Sequence, residues 1–306
     1  MASPVTSAAM ADLLDPRFKE YTQTEFLAIP DKIPMLYGAE TSDRADERFS
    51  DITPMGDIPE FTGTVTYDGP DQGYDVTATH KEFVGGIQIE RKLYDDDQTG
   101  SVVRNMFEEL GRSAGKTRQK HGARIFNQSF ANDTYFYSHS ENVALCSNSH
   151  TTTRSGVSTA SGFDNVGTAA LSATSLAAAI TSFRQLRDLA GEPIDEAADE
   201  LWIPVDLDLT AEELIKTKVG LDEASQTKNV LEGKFQIHEW ARITDTNDWW
   251  ICNSRLRKKF IKWIERVPME TGKMEAFDQY IAKGRLYMRY SAVRTLWQWI
   301  YGHQVT

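Results

Sequence analysis

Apolar residues recur at two periods along this chain, and the changes of period mark its elements. Between 98 and 130, Val103, Met106, Phe107, Leu110, Ala114, Thr117, His121, Ile125 and Gln128 follow at spacings of three and four. That is one face of a helix. Arg104, Glu108, Arg112, Lys116, Arg118, Lys120 and Arg124 fill the other face. About 30 such residues would span roughly 45 Å, a spine rather than a compact-domain helix. A second stripe, Leu176, Ile180, Phe183, Leu186 and Ala190, predicts a helix capped by Ser175, closed by Gly191 and stopped by Pro193. Asp195 to Glu200 reads as a solvated acidic loop, and Leu201 to Val205 as a buried strand. Thr210-Ala211-Glu212-Glu213 has the form of a capping box, so another helix is predicted to start there.

Elsewhere the period is two. Phe61, Gly63, Val65 and Tyr67 alternate with threonines, as do Tyr74, Val76 and Ala78 beyond the turn cluster Asp68-Gly69-Pro70-Asp71-Gln72-Gly73. Ile87, Ile89, Arg91 and Leu93 predict a further strand. These strands make a long β-hairpin, and an isolated hairpin is marginal in water. It needs a surface to lie on, in its own sheet or on a neighbour. Strands are also predicted at Phe235–His238, Trp249–Cys252 and Phe260–Ile264. A long last strand is predicted over Leu286–Tyr301, with Trp297, Trp299 and Tyr301 on one face, completing a core.

Three stretches lack a clear period. Residues 1–50 carry Met10, Leu13, Leu14 and Phe18 around Pro16, then Phe26, Leu27, Ile29, Ile33, Met35, Leu36 and Tyr37 around Pro30 and Pro34. The prolines interrupt any long helix or central strand, so this segment reads as an arm that buries its apolar residues on another surface. Residues 131–170, rich in Ser, Asn, Thr and Gly, read as a long surface loop, and Gly220–Asn229 as a polar, mobile one.

Composition narrows the function. The 306 residues suffice for one large or two ordinary domains. A formal charge of −12 argues against a general nucleic-acid-binding surface. Cys146 and Cys252 are the only cysteines, which excludes a disulfide framework and makes a reducing compartment the default. The first residues lack the pattern of a signal peptide, and no run of about 18 apolar residues suggests a membrane span.

Candidate chemistry is weak throughout. Gly111-Arg112-Ser113-Ala114-Gly115-Lys116-Thr117 is one residue short of a phosphate-binding loop and sits inside a helical stripe. Gly111 and Gly115 read better as a small face where another backbone can approach. His139, Cys146 and His150 match no zinc spacing and read as solvent-facing loop residues. Asp95-Asp96-Asp97 suits a helix N-terminus and lacks the Gly and Glu of a calcium loop. No G-x-S-x-G elbow occurs. The expectation is a non-enzyme with no catalytic residue, cofactor or metal.

The order of elements — arm, long hairpin, long helix, Ser/Asn-rich loop, central α/β stretch, terminal strands — resembles the major capsid proteins of tailed phages, with the HK97-type α+β fold. The Mu-like major head subunit family is the nearer likeness. It is carried by Asn142-Val143-Ala144-Leu145-Cys146-Ser147-Asn148-Ser149-His150, by Leu171-Ser172 through Gly191-Glu192-Pro193, by Leu201-Trp202-Ile203-Pro204 and by Glu275-Ala276-Phe277-Asp278-Gln279-Tyr280. The likeness covers roughly residues 100–301. It implies an N-terminal arm at 1–50, an extended β-hairpin loop at 51–97 and a peripheral domain with the spine helix at 98–140. A mainly axial domain follows at 141–255, and 256–306 returns to the peripheral domain.

The implied function is structural: self-assembly through hexamers and pentamers into an icosahedral shell around double-stranded DNA, without sequence-specific contact to it. Implied partners are further copies of the chain, scaffolding and portal proteins and, in some shells, decoration proteins. No membrane is involved, and the implied place is the virion capsid, assembled in the host cytoplasm. Asp68, Pro70, Asp71 and Tyr74 on the hairpin, with Phe26 and Leu36 on the arm, are the expected inter-subunit contacts. Two other readings stand beside this one. An encapsulin-like nanocompartment shell would share the fold and differ in cargo. A small-ligand-binding α/β protein would be a compact monomer or small oligomer with a formed pocket.

Overall fold

The computed structural model describes residues 11–65, 67, 69–96, 101–218, 229–276 and 281–306. The expected mobile loop at 220–229 therefore lies, but for Asn229, outside the described residues, as do Asp97 and Phe277–Tyr280.

The chain opens with α1 (Ala11–Ala28) and a single turn, α2 (Ile33–Leu36). α1 runs through Pro16, where a break was expected. Pro30 ends up beyond it, and Pro34 sits in the first turn of α2, where the missing N–H costs nothing. The strands β1 (Gly38–Thr41) and β2 (Asp46–Ile52) follow. β2 pairs antiparallel with β3 (Gln72–Thr79), and β3 with the short β5 (Tyr137–His139). The hairpin thus begins earlier than the alternation suggested. The described residues of that stretch, Phe61–Val65 and Tyr67, are in no strand; they belong to the loop 53–71 that joins β2 to β3.

β4 (Lys81–Glu90) leaves this sheet and pairs with β11 (Ile281–Arg294), which pairs in turn with β10 (Ile261–Ala276). β1 adds to β10 in parallel, giving the order β1-β10-β11-β4. The strand predicted through Arg91 and Leu93 stops at Glu90, and α3 (Arg91–Asp96) replaces it. The spine helix is α4 (Ser101–Gly122), with a separate turn, α5 (Arg124–Asn127), after it. Its 22 residues span roughly 33 Å, shorter than expected because the chain turns at Ala123.

α4 lies between α1 and the four-stranded sheet. Toward α1 its surface is glycine, as the sequence reading held. A Cβ on Gly115 would stand 2.8 Å from Ile29 Cδ1 and 3.2 Å from the Phe26 carbonyl oxygen, and one on Gly122 would stand 2.8 Å from Ile33 Cγ1. Toward the sheet, the His121 ring meets Phe83 at 4.6 Å and its Nδ1 bonds the Tyr290 hydroxyl at 2.8 Å. The Tyr37 hydroxyl donates to the Gly122 carbonyl at 2.8 Å, tying the arm to the end of α4.

The second body is a five-stranded mixed sheet, order β6-β12-β9-β7-β8. Its strands are β6 (Val166–Gly167), β7 (Glu200–Ile203), β8 (Gln236–Glu239), β9 (Trp249–Cys252) and β12 (Ile300–His303). β7 and β9 are buried along their whole length. Their unbroken apolar runs are what a strand covered on both faces requires. α6 (Ala173–Arg184) and α7 (Asp208–Lys216) flank the sheet. The cap of α6 is Ser172, whose hydroxyl accepts from the Ser175 N–H while Ser175 reaches back; the helix ends at Arg184 rather than at 190. Thr210 does not cap α7, which has already begun at Asp208. The short α8 (Ser254–Phe260) leads into β10.

The expected last strand is two elements. β11 ends at Arg294, the chain turns through Trp297 and Trp299, and β12 joins the five-stranded sheet rather than that of β10 and β11. The chain therefore leaves the four-stranded sheet at Arg294. All seven tryptophans are at most 4% exposed, so the aromatic residues do close the core.

Candidate assembly surfaces

The base of loop 53–71 is closed by reciprocal bonds. Thr53 N–H and Oγ1 donate to the Asp71 carbonyl at 2.9 and 3.1 Å, and Asp71 N–H donates to Thr53 Oγ1 at 2.9 Å. The segment 140–154 grips the same base. Tyr74 OH lies 2.5 Å from Thr151 Oγ1, Thr153 Oγ1 donates to the Gln72 carbonyl at 2.9 Å, and Arg154 donates to the Pro54 carbonyl at 2.5 Å.

Beyond this base the loop offers apolar side chains to water. Ile58 is 97% exposed and Tyr67 92%, and Ile52, Met55, Phe61 and Val65 are exposed with them. The charged residues of the loop, Asp57, Glu60, Asp68 and Asp71, are all acidic. Isolated apolar residues on a surface mean little, but here six lie within one short segment, Ile52 to Tyr67.

The sequence-predicted contact residues divide. Pro70 and Asp71 are exposed at the loop base, and Tyr74 is half-buried on β3 beside them. Asp68 lies outside the described residues. Phe26 is half-buried on α1, with the Arg118 guanidinium 5.9 Å from its ring. Leu36 is 0% exposed and wholly enclosed by its own chain, so it has no surface to give a neighbour. The reason is that α1 and α2 fold back on α4, which supplies the covering surface that the arm was expected to find on another subunit.

Two buried clusters were not legible as such. Glu200 was assigned to a solvated loop but starts β7, buried against Arg257 of α8. Arg257 donates from Nε and Nη2 to the Glu200 carboxylate at 2.8 and 2.7 Å and from Nη1 to the carbonyls of Met35 (2.8 Å) and Leu36. The Trp202 indole donates to Glu200 at 3.0 Å. Burial alone would raise the Glu200 pKa, but the nearby His238 ring, 3.6 Å away, and the bonds from Arg257 and Trp202 hold it at about 2. This cluster fastens the arm to both sheets. The second joins Glu141 to His139 and His150, the two histidines that were read as loop residues facing solvent. All three side chains are buried, as is Cys146.

A cleft of about 380 Å³ lies beside β1, lined by Ile33, Tyr37, Arg118, Trp263 and Glu265 among others. Its charges are spent locally: Arg118 pairs with Glu265 at 3.0 Å, and Glu40 with Lys262 at 2.6 Å. The phosphate-loop-like segment 111–117 is helix interior, so its N–H groups are committed. Among the described residues, no group of three His, Cys, Asp or Glu side chains could hold a metal ion, and no helix is long and apolar enough to cross a membrane.

A family model described as phage capsid protein matches residues 73–301. Among curated proteins, none matches this chain. Solved structures share its fold. The mature capsid of bacteriophage PhiM1 is 12% identical, with a TM-score of 0.57 over 90% of this chain and 86% of that one. The capsid of a native GTA particle is 10% identical, with a TM-score of 0.58 over 91% and 92%. A virus-like particle from Pyrococcus furiosus is 10% identical, with a TM-score of 0.53 over 94% and 98%.

Proposed function

Because the chain belongs to the phage capsid protein family, a family of structural shell proteins, we propose how its parts build the shell. Copies associate into hexamers and pentamers that close around double-stranded DNA. The Mu-like major head subunits are the branch we assign, on the segments quoted above, all of which fall inside the matched residues 73–301. Assembly takes place in the host cytoplasm, with scaffolding and portal proteins as partners. The net charge of −12 suits DNA that is confined through counterions rather than gripped.

In this reading the body of α4 and the four-stranded sheet is the peripheral domain, and the five-stranded sheet with α6 and α7 is the axial domain, which meets its copies at capsomer centres. Residues 1–50 are the arm, and the hairpin with loop 53–71 is the extended loop that lies over the next copy. The observation that carries this is the loop itself: apolar, acidic, exposed, yet held at its base by 140–154. A loop without basic residues fits a basic receiving surface. The outer row of α4 is the one we assign on the neighbour: Lys120 is exposed there beside Arg112 and Lys116, which share Glu25 and Glu109 of their own chain. A contact between two different patches of the same chain is head-to-tail, and it forms a ring when its rotation closes, as a hexamer or pentamer requires.

The test is particle size, by light scattering and negative-stain microscopy of the chain expressed alone and with candidate scaffolding protein. Closed shells or capsomer-sized rings support the reading, and a stable monomer under both conditions sinks it. The nucleic-acid content of shells isolated from infected cells separates a DNA-filled capsid from a nanocompartment with protein cargo.

A further inference from the structure

The segment that grips the hairpin base is itself held by a buried cluster of titratable groups. Glu141 and His150 are each 0% exposed in their side chains. One Glu141 oxygen takes both the His150 Nδ1 contact, at 3.0 Å, and the Thr151 N–H, at 3.0 Å; the other oxygen has no partner. His150 Nε2 faces the Leu145 carbonyl at 3.2 Å, so both its ring nitrogens face acceptors. The ring stacks on Trp297 at 4.2 Å, which fixes its plane.

His139 faces one acceptor and one donor. Its Nε2 faces the Thr295 carbonyl at 2.8 Å and must donate. Its Nδ1 accepts from the Glu141 backbone N–H at 3.2 Å, so the ring is neutral. A proton added there would set one N–H against another. Arg294 of β11 stands behind, donating to the Tyr137 hydroxyl of β5 at 3.0 Å and to the Val143 carbonyl, with Nη1 unpartnered. Tyr74 of β3 closes the other side, its ring 5.7 Å from that of His139.

We propose that this cluster is an acid-sensitive latch: it holds segment 140–154 against the hairpin base at neutral pH and releases the hairpin when protons are added. Acid acts twice in the same direction. Protonating His139 breaks its bond to the Glu141 N–H and places a second positive charge beside Arg294. Protonating Glu141 removes the anion that His150 and Arg294 face. The grip lost is the one already described, Thr151 on Tyr74, Thr153 on Gln72 and Arg154 on Pro54, together with Ser140, which exchanges backbone and hydroxyl bonds with Asp75 at 2.9 Å.

The window follows from the signs. Burial first, and then Arg294, lower the His139 pKa to about 4. The folded form thus resists a proton that the released form accepts, and the latch weakens as pH falls from the ordinary histidine range toward 4. Burial would raise the Glu141 pKa, but His150 and Thr151 hold it below its usual value, so its contribution is lost lower still.

The test is hydrogen exchange by mass spectrometry on the unassembled full chain, corrected for intrinsic rates. Between neutral pH and about pH 4, peptides covering 72–79 and 137–154 should lose about a hundredfold in protection, while β7 and β9 keep theirs. His139→Gln, which cannot take the proton, should hold its protection to lower pH. Glu141→Gln should leave the hairpin poorly protected at neutral pH with a flattened acid response. Unchanged hairpin protection in acid, loss in parallel with the core, or a His139→Gln profile equal to that of the parent would overturn the latch. If neither variant folds, the localisation of the loss in the parent chain decides. The latch acts on the hairpin assigned above to the neighbouring copy. Because the test uses single chains, its failure would leave the shell reading standing.

Discussion

Gly111 of α4 lies directly against the backbone of Thr22 in α1: a Cβ added to it would stand 2.9 Å from the Thr22 carbonyl carbon and closer still to the oxygen. In an open helix Gly→Ala stabilises by about 1 kcal/mol. Here the methyl group has no room, because the neighbour is backbone and cannot rotate away. Gly111→Ala should therefore destabilise, by about 1–3 kcal/mol, as overpacked sites do. Urea unfolding followed by tryptophan fluorescence measures it. An unchanged or raised midpoint would show that the helices separate freely.

Arg257 serves three places at once, Glu200 in β7 and the carbonyls of Met35 and Leu36. Arg257→Met should cost about 3–5 kcal/mol, because it leaves a buried carboxylate unpaired. Replacing Glu200 by Gln as well should recover part of that loss. Since the Glu200 pKa is held at about 2, the pair stabilises at neutral pH and its contribution fades as acid approaches that value. The single and double variants compared in denaturant, at neutral and acid pH, check both statements.

These two sites show what could be read in advance. Gly111 and Gly115 within an amphipathic stripe already signalled a close helix crossing, because small residues on a helix face have a local meaning. β7 and β9 were legible because strands covered on both faces are apolar without a break. Glu200 was not legible, since its partner lies 57 positions further along the chain and an acidic run looks solvated until Arg257 is placed beside it. Loop 53–71 misled for a related reason. Phe61, Val65 and Tyr67 alternate as a strand does, yet the strand that pairs with β3 is the more polar β2. Alternation reports which side chains share a face, not whether a partner strand is there.

Both cysteines are buried free thiols, and burial raises the pKa of each. The reactive thiolate is therefore scarce as well as enclosed. A thiol-specific chromogenic reagent at neutral pH should find no reactive thiol in the native chain and both after denaturation. Prompt reaction of the native chain would mean that the sheet carrying Cys252 opens on the time scale of the assay.

The loop gives the sharpest separation between folding and assembly. Ile58, Phe61 and Tyr67 are exposed in the single chain, so changing all three to serine removes little buried area. Exposed substitutions of this kind change stability by about 0.5 kcal/mol or less each. If the loop lies on the next copy, the same triple variant loses the apolar anchor of that contact, and an anchor of this sort costs about 2 kcal/mol or more. In a shell the loss recurs at every copy. The expected result is an unchanged unfolding midpoint together with failure to form shells or capsomer-sized rings under conditions where the parent chain forms them. Normal shells from the triple variant would place the assembly contact elsewhere, with the outer surface of the five-stranded body as the next region to substitute.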